Sequence, residues 1–280
     1  MHRFSPQCRK TKVNEMRSRF TRLLTIALLC LPLVPGLARA ALTDEIQVYT
    51  DDINDPGKFG LELHVNSTPK GNTQPGYAGE VVTNHGLRVT PEFSYGLSKD
   101  FEAGLYLPTS YNNGNWSVGG YKLRLKWVPL KADEAKGGFF AGANGELANT
   151  NSKFEAWRHN FELRIMGGWR NKYWLFAVNP VFSWALSSSQ ETPKPKNPQF
   201  AQSYKVARTV VDGVAVGLEY YNEMGSLGSF DPSSQQSKTL YYAVDVTRGR
   251  LPFNFGIGRG LTGATDKWTV KAIFEIPFSL

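Results

Sequence analysis

From residue 58 to the end of the chain, apolar and polar residues alternate with a period of two in segments of about 8 to 13 residues. In segment 121–127 the two sets are Tyr121, Leu123, Leu125 and Trp127 against Lys122, Arg124 and Lys126. This alternation is typical of strands that have one lipid-facing side and one polar side. About twelve such segments follow one another. The pattern predicts an all-β protein: a transmembrane antiparallel β-barrel of about twelve strands, over residues 58–280.

The connections between these segments alternate in length. The longer ones centre on 67–86, 108–120, 148–156, 185–199 and 222–237, and the shorter ones on 98–100, 171–172, 211–213 and 247–252. Membrane barrels of bacteria have short periplasmic turns and longer external loops, and an even number of strands. We therefore expect both termini on the periplasmic side.

Tryptophans lie at the ends of the predicted strands. Six of the seven are on the apolar parity: Trp127, Trp157, Trp169, Trp174, Trp184 and Trp268. Indole rings settle where hydrocarbon meets water, so these positions predict a membrane-interface girdle. A soluble β-sandwich, the alternative, would place its core tryptophans in the middle of strands.

Residues 1–40 have the features of a signal peptide. A basic start precedes the apolar run 23–34, and Ala38-Arg39-Ala40 predicts cleavage after Ala40. The apolar run is too short for a transmembrane helix, which needs about 20 residues. This piece contains both cysteines and leaves a charge of only +1 of the total +8 for the rest of the chain. The basic pI is therefore no argument for binding nucleic acid.

Residues 41–57 are acidic and lack an apolar repeat, so we expect a solvated periplasmic leader before the barrel. A calcium site is the alternative, but the spacing of the acids does not fit an EF-hand loop. The rest of the chain shows no metal-binding or cofactor-binding motif. We predict neither a metal nor a cofactor.

The polar parity of the strands predicts the residues that line the lumen. The pore-lining candidates are Arg88, Glu92, Glu102, Lys122, Arg124, Lys126, Glu146, Arg158, Glu162, Arg164, Glu219 and Lys271. Such charges either pair to hold the barrel's shape or, in the basic row of residues 122–126, form a wall that orients solutes. Glycines on the same parity, such as Gly104 and Gly168, are expected to leave space. Twelve strands give at most a narrow pore, which loops or the N-terminal segment could close.

An enzyme of outer-membrane lipid is an alternative function, because some barrels of this size are hydrolases with Ser and His near the outer rim. His159 lies near an external strand end, but Phe161 occupies the position where such enzymes have a serine. His64, with Asn66 and Ser67, is the other candidate, and it faces the lumen or a loop. We assign no catalytic residue, and a plugged structural or adhesion barrel also stays open.

The last residues, Phe274, Ile276, Phe278 and Leu280, lie on the lipid-facing parity and resemble the C-terminal strand of outer-membrane barrels, except that those usually end in Phe or Trp. As a whole, the pattern resembles the outer-membrane channel proteins of proteobacteria, such as the group associated with phenol-degradation operons. The resemblance implies a passive, porin-like channel for small or hydrophobic solutes in a Gram-negative outer membrane. Its partners would be membrane lipid, the assembly machinery and a small-molecule solute.

Overall fold

The computed structural model describes residues 44–133, 136–187 and 193–277, so the predicted signal peptide and the last three residues lie outside the described part. The described residues form fifteen β-strands: β1 (Phe59–Lys70), β2 (Leu87–Gly96), β3 (Phe101–Tyr106), β4 (Thr109–Asn112), β5 (Asn115–Val118), β6 (Gly120–Leu130), β7 (Gly138–Thr150), β8 (His159–Arg170), β9 (Trp174–Ala185), β10 (Gln199–Val211), β11 (Val214–Ser226), β12 (Ser229–Phe230), β13 (Ser237–Val246), β14 (Phe253–Gly260) and β15 (Trp268–Glu275). Among these residues no helix is long and apolar enough to cross a membrane.

The sheet closes on itself because β1 pairs antiparallel with both β15 and β2. Twelve strand positions make the wall. β3 and β4 pair in turn with β2 and together fill one position, β5 and β6 fill the next, and β12 only extends a hairpin at the end of β11. The predicted twelve-stranded antiparallel barrel is confirmed.

The two faces of the wall differ as the alternation predicts. On β6, Lys122, Arg124 and Lys126 are buried inside the barrel, whereas Leu123 and Leu125 are half exposed on the outside. The outer surface carries a belt of exposed apolar side chains on every part of the wall, including Phe176, Leu218, Tyr242 and Ile257. Such a surface is stable only against lipid, because exposed apolar area of this extent is unfavourable in water.

One predicted loop is wrong. Residues 108–120 form a hairpin of β4 and β5 instead, which continues the wall beyond β3 and β6. Its turn is Asn113-Gly114, with φ angles of 49° and 80°, the conformation that two-residue hairpin turns require. Asn and Gly adopt this conformation readily, so the sequence contained the signal for the hairpin.

Connections of unequal length distinguish the two ends of the barrel. We call the end with connections 71–86, 151–158 and 186–198 the loop end, and the end with connections 97–100, 171–173 and 212–213 the turn end. β1 begins at the turn end and β15 finishes there, since Glu62 pairs with Glu275.

Residues 44–55, here called the inner segment, run through the lumen rather than through solvent. Ile46, Val48 and Tyr49 are 7%, 5% and 2% exposed. Asp44 lies near the loop end beside Lys122, and Asn54 lies at the turn end beside Glu102. The inner segment thus runs through the lumen from near the loop end to the turn end, where β1 begins. This differs from the solvated leader expected from composition, because the polar lumen supplies partners for the acidic residues.

Candidate functional site

The lumen brings together most of the residues predicted to line it. Nine are buried inside the wall: Arg88, Glu92, Glu102, Lys122, Arg124, Lys126, Glu146, Glu219 and Lys271. Glu162 and Arg164 are partly buried and border cavities inside the barrel. Arg158 is exposed, and its Nε donates to Asn149 Oδ1 at 3.2 Å. It precedes the first residue of β8, so the alternation of that strand does not set its direction.

Two members of the basic row of β6, Lys122 and Arg124, are paired with carboxylates. Lys122 Nζ lies 3.1 Å from Asp44 and 3.4 Å from Glu146. Arg124 Nη2 lies 2.7 Å from Glu92 and 2.6 Å from Glu102. A buried guanidinium is tolerated only when it is paired in this way, since an isolated buried charge is strongly destabilising.

A second network lies on the other side of the lumen. Glu219 pairs with Lys271, and also with Lys205 at 3.2 Å. The hydroxyl of Tyr221 donates to Glu219 at 2.6 Å, and Lys205 bonds Asp245 at 2.8 Å. The strands β10, β11, β13 and β15 each contribute one or more of these groups, so the network braces the wall across several strands.

Tyr49 is the central contact between the inner segment and the wall. Its hydroxyl lies 2.7 Å from the hydroxyl of Tyr106, and Arg124 Nη1 donates to it at 3.3 Å. The charged ends of Lys126 and Arg164 lie 5.0 Å and 4.6 Å from the centre of its ring. Cations this close to an aromatic ring are attracted to its face.

Asn179 fixes the backbone at the same residue. Its Oδ1 accepts the backbone N–H of Tyr49 at 2.7 Å, and its Nδ2 donates to the carbonyl of Tyr49 at 3.0 Å. Next to it, Val48 packs on Phe140 and Ala177, which are inward-facing apolar residues of β7 and β9. The middle of the inner segment is therefore held by both hydrogen bonds and apolar packing.

Basic side chains also donate to main-chain carbonyls of the inner segment. Lys271 Nζ donates to the carbonyl of Ile46 at 3.0 Å, Arg164 Nη1 to that of Gln47 at 3.1 Å, and Lys126 Nζ to that of Asp52 at 2.5 Å. At the turn end, Arg170 pairs with Asp51, and with Asp52 at 3.2 Å. The inner segment thus lies along a track of cations supplied by β6, β8 and β15.

Of the cavities inside the barrel, one lies at the loop end and one at the turn end, and the inner segment runs from one to the other. The loop-end cavity of about 470 Å³ is bordered by Asp44, Arg88, Trp157 and Arg164 among others. The turn-end cavity of about 610 Å³ is bordered by Tyr49, Glu62, Glu102 and Lys126 among others. Residues of the inner segment border both: Asp44 and Glu45 the loop-end cavity, and Gln47 and Tyr49 the turn-end cavity.

The lumen glycines were expected to leave open space, but they do not. A Cβ at Gly104 would lie 2.7 Å from Arg124 Nε, and one at Gly168 would lie 2.3 Å from the ring of Phe140. One at Gly258 would lie 2.4 Å from the ring of Tyr241. These glycines instead make room for the large side chains of neighbouring strands, because the interior is packed.

The outer tryptophans divide between the two ends of the barrel. Trp127, Trp169 and Trp174 lie at the turn end, and Trp184 and Trp268 lie at the loop end. Several stack on neighbouring phenylalanines, as Trp127 does on Phe101. Trp157 departs from the predicted girdle, because it precedes β8, borders the loop-end cavity and donates its Nε1–H to the carbonyl of Pro193 at 3.3 Å.

The histidines have different surroundings. Nε2 of the buried His64 lies 3.0 Å from Glu92 and 3.7 Å from Glu62, and one ligand atom of each of the three lies within 4.8 Å of the others. Arg124 also pairs with Glu92, at 2.7 Å, so this carboxylate has two partners within the wall. His159 is exposed, and its backbone N–H donates to Ser187 Oγ at 3.1 Å. That contact involves the main chain of His159 and not its imidazole.

Comparisons with known proteins support the architecture. No protein family model matches the chain, and no curated protein matches it in sequence. Among solved structures, an outer membrane channel from Pseudomonas putida F1 is 12% identical with a TM-score of 0.52, over 84% of this chain and 100% of the other. NanC porin is 8% identical with a TM-score of 0.50, over 78% and 100%.

A third similar structure is KdgM porin in complex with disordered oligogalacturonate. It is 11% identical, with a TM-score of 0.50, over 79% of this chain and 99% of the other. At these identities the similarity is one of fold. The protein thus has the fold of porin-like barrels. Its solute has to be inferred from the residues of its own lumen.

The residues that sequence reasoning missed are those that hold the inner segment: Tyr49, Tyr106, Asn179 and Asp51. The acidic residues before the barrel and the basic row on β6 are complementary in charge, which was the available signal. Nothing in the alternation of β9, however, distinguishes Asn179 from any other inward-facing polar residue.

Proposed function

We propose that this protein is a narrow passive channel for small solutes in the outer membrane of a Gram-negative bacterium, and that the inner segment closes it when seated. The observation that carries the proposal is the pair of lumen cavities, one at each end, with the inner segment running from one to the other. The belt of apolar outer side chains supports the membrane location, and the similar solved structures are barrels of this kind.

The charged wall favours a path for polar solutes over a solid core. Buried charged groups cost free energy, and a barrel that served only as a scaffold would gain stability from apolar residues of the same volume. Here the wall of the lumen retains Lys122, Arg124, Lys126, Glu146 and Glu219. When the inner segment leaves, these groups become available to water and ions, which is the condition for conduction.

Closing and opening can be controlled with a disulfide. The predicted mature chain has no cysteine, since Cys8 and Cys30 precede the cleavage site. Val48 and Ala177 pack together, so Val48→Cys with Ala177→Cys would tether the inner segment to β9. In planar bilayers we expect conductance steps from the reduced double variant and few or none from the oxidised one.

Each single cysteine variant is the matched control, because it cannot form the tether and should conduct alike with and without reductant. The proposal is overturned if the wild type and the reduced variant insert into bilayers in folded form and never open steps in several salts. Equal conductance of the oxidised and reduced double variant would keep the channel and remove the inner segment as its closure.

A further inference from the structure

The inner segment has the chemistry of a ligand. It is a run of twelve residues with five acids, Asp44, Glu45, Asp51, Asp52 and Asp55, and it lies along the lumen as an unpaired chain. It meets cations over nearly all of its length, from Lys122 beside Asp44 to Arg170 beside Asp51. The lumen therefore already holds one extended, acidic chain.

The cations bind the inner segment through features that other molecules share. Three of their contacts, to the carbonyls of Ile46, Gln47 and Asp52, are to main-chain oxygen atoms, and the contacts of Lys122 and Arg170 are to carboxylates. None of these contacts depends on a particular side-chain shape. Any extended molecule that presents oxygen acceptors and carboxylates at intervals satisfies the same donors.

Departure of the inner segment leaves some of these cations without a counter-charge. Among the described residues, the ion pairs of Arg170 are with Asp51 and Asp52 of the inner segment, and Lys126 makes no ion pair with the wall. Lys122 keeps Glu146 but loses Asp44. A cation in a confined, weakly polarisable lumen attracts a mobile anion strongly. The vacated track thus favours a negatively charged occupant.

We propose that the cation track of Lys122, Lys126, Arg164, Arg170 and Lys271 is a binding site for a linear oligomer of carboxylates, and that the inner segment occupies it as an internal competitor. The track follows the lumen from one end to the other, so its ligand is a chain rather than a compact ion. This inference rests on the proposed channel function, because it names the class of solute that the channel would carry. The binding itself requires no conduction.

The experiment uses the full chain in detergent, with the charges of the inner segment removed: Asp44→Asn, Asp51→Asn and Asp52→Asn together. Titration calorimetry measures binding of trigalacturonate, of a triglutamate peptide and of neutral maltotriose. We expect the triple variant to bind both acidic trimers at least ten-fold more tightly than the wild type does, and maltotriose no better. Asp55→Asn is the matched control, because Asp55 is exposed at the end of the inner segment.

Two further variants make the result decisive. The first adds Asn179→Ala to the triple variant, which removes the main-chain anchor of the inner segment. The second adds Lys126→Gln and Arg170→Gln to the triple variant, which should abolish its increased affinity for the acidic trimers. Preference for one acidic trimer identifies the backbone that carries the carboxylates, sugar or peptide. Unchanged affinity for both acidic trimers in the triple variant, with and without Asn179→Ala, overturns the proposal, as does equal binding of maltotriose.

Bilayer recordings distinguish a failure of the proposed binding site from a failure of the proposed channel function. A triple variant that binds the acidic trimers without ever conducting keeps the site and removes the channel. One that conducts but binds no acidic trimer keeps the channel and removes the site. Current block by trigalacturonate, absent with maltotriose, supports both.

Discussion

Asn179 holds Tyr49 by both its backbone groups, in the way that a neighbouring strand would. The carboxamide accepts from the N–H of Tyr49 and donates to its carbonyl, and Asn179 is completely buried. Since buried backbone groups must be paired, this one side chain satisfies the inner segment at the point where no strand lies beside it. The position of the inner segment in the lumen therefore depends on a single residue of β9.

Replacing Asn179 by alanine should release the inner segment. Two buried backbone groups lose their partners, which costs about 1–3 kcal/mol, or a shift of roughly 5- to 150-fold toward the released state. We expect a larger open fraction in bilayer recordings and faster proteolytic cleavage within residues 44–55. Asn197→Ala is the control, because Asn197 bonds a loop carbonyl at the surface. Identical cleavage rates in the two variants would contradict the role of Asn179.

The N-terminus after cleavage should emerge at the loop end, although β1 begins at the turn end. Asp44 already lies beside Lys122 near the loop end, and three residues of chain separate it from the predicted cleavage site. If the long loops are external, an epitope inserted after Ala40 will bind antibody on intact cells. An epitope within 212–213 should bind only after permeabilisation. Protection of the first epitope would show that this terminus is periplasmic, as the strand pattern alone predicts.

Breaking the Glu219 network should destabilise the barrel. Lys271→Met leaves Glu219 with Lys205 and the hydroxyl of Tyr221, so the loss should stay below the about 3–5 kcal/mol that an uncompensated buried charge costs. The double variant Lys271→Met with Glu219→Gln should recover part of the loss, because a neutral amide then replaces the carboxylate that lost one of its two ammonium partners. The measurement is urea-induced unfolding in detergent, followed by tryptophan fluorescence. A double variant as unstable as the single one would refute this account.

Two adjacent glycines should respond differently to alanine. A Cβ at Gly168 would lie 2.2 Å from the carbonyl oxygen of Phe176, whereas a Cβ at Gly167 has nothing within 4 Å. Overpacking of a filled interior costs about 1–3 kcal/mol, so Gly168→Ala should lower the unfolding midpoint. Gly167→Ala faces outward and should leave the midpoint nearly unchanged. Equal midpoints would show that the lumen has room at this level.

The sequence by itself determined the wall of the barrel. Each strand needs one face for lipid and one for the lumen. Apolar and polar residues therefore alternate along it, as in Leu123, Arg124 and Leu125. Because the requirement is local, the strand positions, the inward direction of the charged residues and the closed twelve-stranded sheet could be predicted. The hairpin at Asn113-Gly114 was missed through an overlooked turn signal rather than through missing information.

Only the tertiary structure decided what fills the lumen. The inner segment and its partners are far apart in sequence, as Tyr49 and Asn179 show, and no periodic constraint relates them. Composition marked residues 44–55 as acidic and hence solvated, whereas the closed wall turns a row of cations toward the same space. The ion pairs between these acids and cations, and the packing of Val48, form only when the barrel has closed. Their stabilising effect therefore cannot be predicted from the sequence of the segment alone.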